Sequence, residues 1–402
     1  MRKCLACGKE SLKTILDFGD QTAANLLLDN IDLNAKKEKL ALDYCSNCGH
    51  AQQNSFYPPE DLFSHYLYQS GTSNTLRDYF EWFSECIYNS SVRNLNTLEI
   101  ASNDGSLIRT LLDKNILAEG IEPAKNLVEI ARANGIKTTE GFWPTSKLNK
   151  KFDIVIAQNV LAHNTNPFEF TRAIYESLSD EGTAFLQSSQ IDMFENYEFD
   201  TVYHEHFSFF SPNSMRVLAE RAGFKHNLFL KTNIHGGSLL GIFSKSKESV
   251  DKFGESFSSG KFYMNKINSK QRPTDSDADK FSVRAMETCN TLKELSSTYK
   301  KCGYSIVLVG AAAKAITVLQ ASKLDIDFII DEAPLKHGKY IAGSKNKIDK
   351  FHIIDDINNP ILFIIGAWNF YTELKDKLGN IRGRDNEDRI ARYFPRLVIE
   401  NL

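Results

Sequence analysis

Residues 97–122 constrain this chain more than any other stretch. They read TLEIASNDGSLIRTLLDKNILAEGIE, with Asn96 in front. The opening is apolar and alternating, as a buried strand is. It breaks at Ser102-Asn103-Asp104-Gly105, and residues 107–112 then have helical spacing. A second short strand over 118–121 ends at Glu122. Strand, glycine loop, helix and strand make half of a doubly wound domain, so the expected fold class is α/β and Rossmann-like. Ligands of such sheets lie beyond the carboxyl ends of the strands. There Gly105 gives access to backbone N–H groups, and Glu122 can accept two hydrogen bonds from a ribose diol. The loop lacks G-x-G-x-x-G, which weakens a dinucleotide assignment. Glu99 in the first strand, the glycine loop and Glu122 suit a nucleoside that carries positive charge. S-adenosylmethionine (SAM) is such a ligand, with Glu99, Ser102, Asn103, Gly105 and Glu122 as its binding residues. A Rossmann-like core binding another nucleotide, or nothing, stays open.

Cysteine spacing adds a second constraint. Cys4 and Cys7, then Cys45 and Cys48, form two CxxC pairs, each followed by a glycine. Four thiolates so spaced can close a tetrahedral Zn²⁺ site, which is structural because no position remains for water. Residues 1–56 are too few to build much core alone, so the metal would supply folding energy. Within them, residues 14–18 and 39–44 alternate like strands. A redox pair or idle thiols are the alternatives. His50 follows closely, but four cysteines already complete the set. Cys86, Cys289 and Cys302 are isolated, and an odd total of seven argues against a disulfide framework.

A length of 402 residues with 42% hydrophobic content supports two or three domains with real cores. A net charge of −3 gives no field for nucleic acid. The start, MRKCLACG, is not followed by an apolar signal region, and no run suits a membrane span. The expectation is a soluble cytoplasmic protein with neither nucleic-acid nor membrane partners.

Tyr57-Pro58-Pro59 marks a boundary, after which residues 57–93 form an aromatic connector. Residues 75–88 read as a helix with one aromatic face. Residues 64–73, SHYLYQSGTS, are polar and aromatic, either a lid whose tyrosines reach a ligand or simple packing. The nucleotide domain spans 94–243. Its strand 152–157 opens into Gln158-Asn159-Val160-Leu161-Ala162-His163, at the sheet edge where methyl donor and acceptor should meet. Residues 199–210, FDTVYHEHFSFF, place two histidines, a glutamate and a tyrosine among phenylalanines. Buried polar groups need partners. If the run is extended, His204 and His206 share one face and Tyr203 and Glu205 the other; if it turns, all four can converge. Residues 244–300 read as a linker and a long helix, and residues 301–402 as a second Rossmann-like, substrate-binding domain. Its loop, Gly310-Ala311-Ala312-Ala313-Lys314, precedes a strand ending at Asp331. Lys314 would lie near a substrate phosphate, or serve as an interface lysine beside a structural turn.

Methyl transfer from a sulfonium is an in-line displacement that needs positioning and a nucleophilic acceptor. A carbon acceptor must lose a proton next to a group such as a ketone. A histidine with an ordinary pKa of about 6.5 can take that proton, and a tyrosine hydroxyl can hold the enolate oxygen. The same histidines and glutamate could instead bind a metal, or be satisfied structural groups.

These motifs in this order resemble the three-domain SAM-dependent sugar C-methyltransferases. That family acts on nucleotide-linked deoxy keto-sugars. The resemblance covers nearly the whole chain. It rests on both CxxC pairs, residues 99–107 (EIASNDGSL), 120–126 (GIEPAKN), 158–163 (QNVLAH) and 199–211 (FDTVYHEHFSFFS). It rests also on 235–238 (HGGS), 310–315 (GAAAKA) and 331–344 (DEAPLKHGKYIAGS). It implies that His206 removes the proton at C3 beside a C4 ketone, with Tyr203 and Glu205 steering substrate and base. It implies that Tyr66 or Tyr68 closes over the sugar and that Glu122, with Asn159, holds SAM. His163, His235, Lys314 and Trp368 fall to the substrate, whose nucleoside diphosphate lies between the middle and C-terminal domains. Three positions depart from the family. Ala101 and Ala315 stand where it usually has glycine, and Gln187-Ser188-Ser189 replaces Glu-Val-Pro, which puts the acceptor in doubt. Methylation of oxygen or another carbon acid, and a non-catalytic zinc and nucleotide scaffold, are the alternatives. A monomer and a homodimer are both compatible with the sequence.

Overall fold

A computed structural model describes residues 2–63, 69–90, 95–146, 148–189, 191–383 and 387–402. Three sheets organise it. The N-terminal sheet contains β1 (Leu12–Gln21), β2 (Glu38–Cys45) and β3 (Ala51–Gln53), all antiparallel. Its fourth strand, Ser208–Phe209, comes from the middle of the chain and pairs with β3.

The central sheet has eight strands: β4 (Asn96–Ile100), β5 (Leu117–Glu122), β6 (Thr138–Glu140), β7 (Phe152–Gln158), β8 (Leu178–Ser189), β9 (His226–Thr232), β10 (Ser238–Ser244) and β11 (Tyr263–Ile267). Their spatial order is β11-β9-β10-β8-β7-β4-β5-β6. From β6 to β8 neighbouring strands are parallel, and the β10 hairpin strand runs against β8 and β9. Parallel strands are covered on both faces, so they read as near-continuous apolar runs. Alternate residues serve the two faces. Ile154, Ile156 and Phe185 meet α1 (Asn74–Asn89), whose Leu76, Tyr79, Phe80, Phe83 and Ile87 recur at helical spacing. Val155, Ala157, Ala184 and Leu186 pack on the opposite side with Phe170 and Met215. The Ser73 side chain caps α1 by accepting from the Leu76 N–H.

The C-terminal sheet contains β12 (Ser305–Val309), β13 (Phe328–Ile330), β14 (Ile348–Asp349), β15 (Ile361–Ile365), β16 (Arg389–Arg392) and β17 (Val398–Asn401). Their order is β14-β13-β12-β15-β16-β17, parallel except at β17. A 27-residue helix, Asp275–Lys301, joins the units; it begins with a capping box between Thr274 and Asp277. Its Phe281, Ala285, Cys289 and Leu292 share one core with Leu40, Leu42 and Tyr44 of the N-terminal sheet and Ile306, Leu308 and Ile364 of the C-terminal sheet. Leu27–Leu28 also pairs with Tyr340–Ile341, stitching the two ends of the chain together.

The expected linker does not begin at residue 244. Residues Lys247–Phe257 form a helix that buries Val250, Phe253 and Phe257, and β11 adds the edge strand of the central sheet. No residue of β11 is buried, and its three central residues are exposed, which is why its composition reads as linker.

Candidate active site

β4 and β7 lie side by side in the central sheet, with β5 beyond one and β8 beyond the other. Chain order reverses there, and this is where open α/β sheets place ligands. The loop after β4 takes left-handed backbone at Ala101 (φ 57°), Asn103 (φ 52°) and Gly105 (φ 79°). That path turns the Asn103 N–H toward β5. Glu122 Oε2 accepts from the Asn103 N–H at 2.8 Å, and Oε1 from the Ala124 N–H at 2.9 Å. Gly120 is required beside this loop, because a Cβ there would come within 2.2 Å of Ser102 Oγ. Burial pushes the Glu122 carboxyl up, against the pull of those two N–H groups. It lifts Glu99 well above its ordinary value, helped by the nearby charges of Asp104 and Glu122.

Four buried polar atoms here find no protein partner: Glu99 Oε2, Ser102 Oγ, Gln158 Nε2 and Asn159 Oδ1. All four residues border one cavity of about 800 Å³. A buried polar group without a partner costs about 1–3 kcal/mol. A cluster of them facing one cavity is the chemistry of a polar ligand site.

The far end of that cavity is lined by Tyr203, His206, His163, His235 and Lys314. His206 Nδ1 lies 2.9 Å from the Thr201 carbonyl. A carbonyl only accepts, so Nδ1 carries the proton and Nε2 presents its lone pair. The Tyr203 hydroxyl donates to Nε2 at 3.1 Å. His163 stands with its ring centroid 5.0 Å from that of His206, its own Nδ1 donating to the Glu205 carbonyl. Burial holds His206 well below the ordinary histidine value, and the charges of His163 and Lys314 add to the effect. At neutral pH His206 is therefore an uncharged base.

Residues 203–206 turn, with the His206 N–H bonded to the Tyr203 carbonyl at 2.9 Å. The turn separates the four polar side chains that a simple reversal would bring together. Tyr203 and His206 face the cavity, while His204 donates to the Glu38 carbonyl at 3.1 Å and Glu205 Oε1 accepts from Asn25 Nδ2 at 2.9 Å. These last two are bonded from the N-terminal unit. The histidines thus do not converge as metal ligands; among the described residues the cluster fit for a metal is Cys4, Cys7, Cys45 and Cys48.

Those four sulfurs lie within 4.8 Å of one another, with Cys4–Cys48 and Cys7–Cys45 both at 3.6 Å. A tetrahedral site with Zn–S bonds of about 2.3 Å has sulfur–sulfur edges of about 3.8 Å. Gly8 and Gly49 turn left-handed at φ 74° and 73° after each pair. The Cys45 thiol is drawn far down by hydrogen bonds from Cys4, Cys48 and Ser11. Donor set and spacing fit zinc.

A family model described as "Methyltransferase domain" matches residues 10–227, more than half of the chain. The chain belongs to the SAM-dependent methyltransferases. A second model, "C-methyltransferase C-terminal domain", matches residues 233–389. The chain is 23% identical over 395 residues to the C-methyltransferase NovU of Streptomyces niveus, covering 93% of this chain and 91% of that one. Two solved structures are similar in part. A SAM-dependent methyltransferase of Thermotoga maritima is 20% identical, with a TM-score of 0.34, covering 42% of this chain and 92% of that one. Another, from Archaeoglobus fulgidus, is 11% identical, with a TM-score of 0.36, covering 42% of this chain and 94% of that one.

In this methyltransferase the expected cofactor residues Glu99, Ser102, Asn103, Glu122 and Asn159 all line the cavity, while Gly105 stands behind it as the cap of Ser106–Asp113. Of the expected substrate and catalytic residues, Tyr203, His206, His163, His235 and Lys314 line it; Glu205 and Trp368 do not. Trp368 supports Lys314 instead, with the ammonium 4.6 Å from its ring centroid and its own Nε1 donating to Asp200 Oδ2 at 2.7 Å. Tyr66 and Tyr68 lie outside the described residues. The next part of that segment docks on the cofactor loop: the Ser70 and Gly71 N–H groups each donate at 2.9 Å, to Asn103 Oδ1 and Asp104 Oδ2. Gln187, where the family's acid is missing, is buried and accepts from the Tyr79 hydroxyl; it is Ser189 that reaches the cavity. Gln158, expected at the sheet edge where donor and acceptor meet, lines the cavity, and so do Trp143 and Asn369, which no pattern in the sequence had pointed to. Among the described residues no helix is long and apolar enough to cross a membrane.

Proposed function

We propose that this C-methyltransferase acts on a nucleotide-linked 4-keto-deoxy sugar and methylates the carbon beside the ketone. One observation carries the reading: a neutral imidazole with its Nε2 lone pair fixed lies 3.1 Å from a tyrosine hydroxyl, in the cavity that also holds Glu122. His206 Nε2 takes the C3 proton, and the C–H electron pair moves into the ketone as an enolate. The Tyr203 hydroxyl turns from Nε2 to the developing oxyanion and stabilises it. Glu122, Glu99, Ser102 and Asn159 would hold SAM, which when bound would supply an electrophilic methyl group to the enolate carbon, the new C–C bond forming as the S–CH₃ bond breaks and the sulfur keeps that electron pair. The imidazolium then returns its proton to water. Lys314, whose contacts to Glu198 and Asp200 are long at 3.6 and 4.0 Å, has charge to spare for a substrate diphosphate. The four thiolates hold a structural Zn²⁺, and the protein works in the cytoplasm.

The test is mass spectrometry of the purified protein with SAM and a panel of nucleotide-linked 4-keto-6-deoxy sugars. The reading expects a gain of one methyl, solvent-deuterium exchange at the adjacent carbon, and loss of both in His206→Ala. SAM binding without product from any member sinks the sugar assignment. Metal analysis of the same sample should find one zinc per chain.

A further inference from the structure

We infer that Gln53, at the end of β3, is a positioning residue for His206 that carries the order of the thiol-bearing N-terminal unit into the active site. This rests on the reading of His206 as the base.

The turn that presents Tyr203 and His206 is held from the N-terminal side at every residue. The fully buried Gln53 side chain donates through Nε2 to the Tyr203 carbonyl at 2.7 Å and to the His206 carbonyl at 2.9 Å. The amide NH₂ has two N–H bonds and can serve both carbonyls at once, whereas the amide oxygen could serve neither, so its partners fix the orientation of this side chain. The Gln53 backbone N–H donates to the Phe207 carbonyl at 3.0 Å. Between these contacts, His204 is tied to Glu38 and Glu205 to Asn25. Ser208 and Phe209 then pair with Gln52 and Ala51. On the central-sheet side the turn is tied by the Phe207 N–H to the Ala162 carbonyl at 2.8 Å and by His163 Nδ1, which donates to the Glu205 carbonyl. His206 has no helix or long strand of its own to hold it. Its ring direction follows from the backbone of this turn and from the Thr201 carbonyl, and Gln53 clamps both ends of the turn.

Strand alternation supplies a control beside it. Gln52 points to the other face of β3, where its amide accepts from the Leu5 N–H at 2.7 Å and donates to the Lys3 carbonyl at 3.4 Å. It touches the cysteine-bearing segment and not the turn. Loss of Gln52 should therefore disturb the unit without disturbing the base.

The experiment compares wild type, Gln53→Met and Gln52→Met, all as full-length protein. Histidine side chains are labelled with 15N, and His206 is assigned by its loss in His206→Ala. Zinc content and the SAM dissociation constant are measured on the same samples. The groups facing His206 are Tyr203, His163 and Lys314, and both substitutions leave them in place. The expected result is a single Nδ1–H tautomer in wild type and Gln52→Met, and tautomer averaging in Gln53→Met, with zinc content unchanged and SAM affinity within threefold. Where an acceptor sugar is turned over, kcat falls roughly 10- to 100-fold in Gln53→Met, with little change in KM for SAM, as expected from small misplacement of a base. An unchanged His206 signal in Gln53→Met overturns the inference, as does an equal change in Gln52→Met. Should Gln53→Met fail to fold, Gln53→Asn, which keeps the amide on a shorter stem, must show the averaging instead. If wild type turns over no sugar, the function reading fails while the tautomer comparison still decides the role of Gln53.

Discussion

The chain contains two glycine-loop units that are built alike and finished differently. At the end of β5, Glu122 accepts from the Asn103 and Ala124 N–H groups. At the end of β13, Asp331 accepts from the Ala311 N–H at 2.7 Å and the Ala333 N–H at 2.8 Å. In both, a carboxylate braces the loop of the preceding strand and its own following turn. The residue just after each first strand, Ala101 or Gly310, has positive φ. The difference lies in what surrounds the carboxylate. Asp331 also receives the Lys336 ammonium at 3.1 Å, and that ammonium reaches the Ala311 carbonyl at 3.0 Å. Among the described residues Glu122 receives no cation, and unpartnered polar atoms of Glu99, Ser102, Gln158 and Asn159 border the same cavity. On the proposed reading one socket is left for a positively charged nucleoside, while the other is closed by its own lysine. The fold offers the same device twice, and side chains decide which copy binds.

That contrast can be broken in several ways. The largest effect should come from His206→Ala, which removes the proposed base beside the first unit. The rate should fall roughly 10²- to 10⁴-fold, with SAM affinity retained by calorimetry. Loss of SAM affinity in that variant would mean the histidine is part of the cofactor socket.

Next come the paired carboxylates. Glu122→Gln should weaken SAM roughly 10- to 100-fold, the worth of hydrogen bonds to a charged group. Asp331→Asn should leave the SAM constant unchanged and lower stability by about 1–3 kcal/mol, read from urea melts. Equal losses of SAM binding from both would end the distinction.

Acid titration gives a smaller effect. Burial and neighbouring positive charge depress His206, so its neutral form persists as pH falls through the ordinary histidine range. The rate constant kcat/KM should stay level down to about pH 6.5 and decline only below it. Lys314→Met removes one of the positive neighbours, so the acid limb should move to higher pH.

The smallest effects concern loop strain. A left-handed alanine costs about 1–2 kcal/mol, and glycine's extra freedom when unfolded takes back about 0.5–1 kcal/mol. Ala101→Gly should therefore raise stability, by at most about 1.5 kcal/mol. Gly310→Ala should lower it by about 1–2 kcal/mol, because its new Cβ would also meet Ala367 Cβ at 2.9 Å. Opposite signs in thermal melts are the check.

The nucleotide half of the chain was readable because its signals are local. Residues 97–122 carry strand, loop, helix and strand within one short stretch, and the observed elements Asn96–Ile100, Ser106–Asp113 and Leu117–Glu122 follow them closely. The two CxxC pairs were readable for the same reason. The polar run around His206 was not. Whether it extends or turns depends on Gln53, Glu38 and Asn25, which are far away in sequence and bond it in space. The edge strand β11 was hidden because an edge carries few buried residues from which a period can be read. Nothing in a sequence distinguishes Glu122 from Asp331 until Lys336 is seen folded back on one of them.

The stitching of the chain ends bears on how the protein is made. The Ala342 N–H bonds the Leu26 carbonyl, the Gly343 N–H bonds the Asp32 carbonyl, and Leu27–Leu28 pairs with Tyr340–Ile341. Residues 26–32 thus wait for partners made more than three hundred residues later. Such distant closures are slow because chain entropy is lost before the contacts form. The N-terminal unit therefore cannot complete its hydrogen bonds until residues 340–343 have been made.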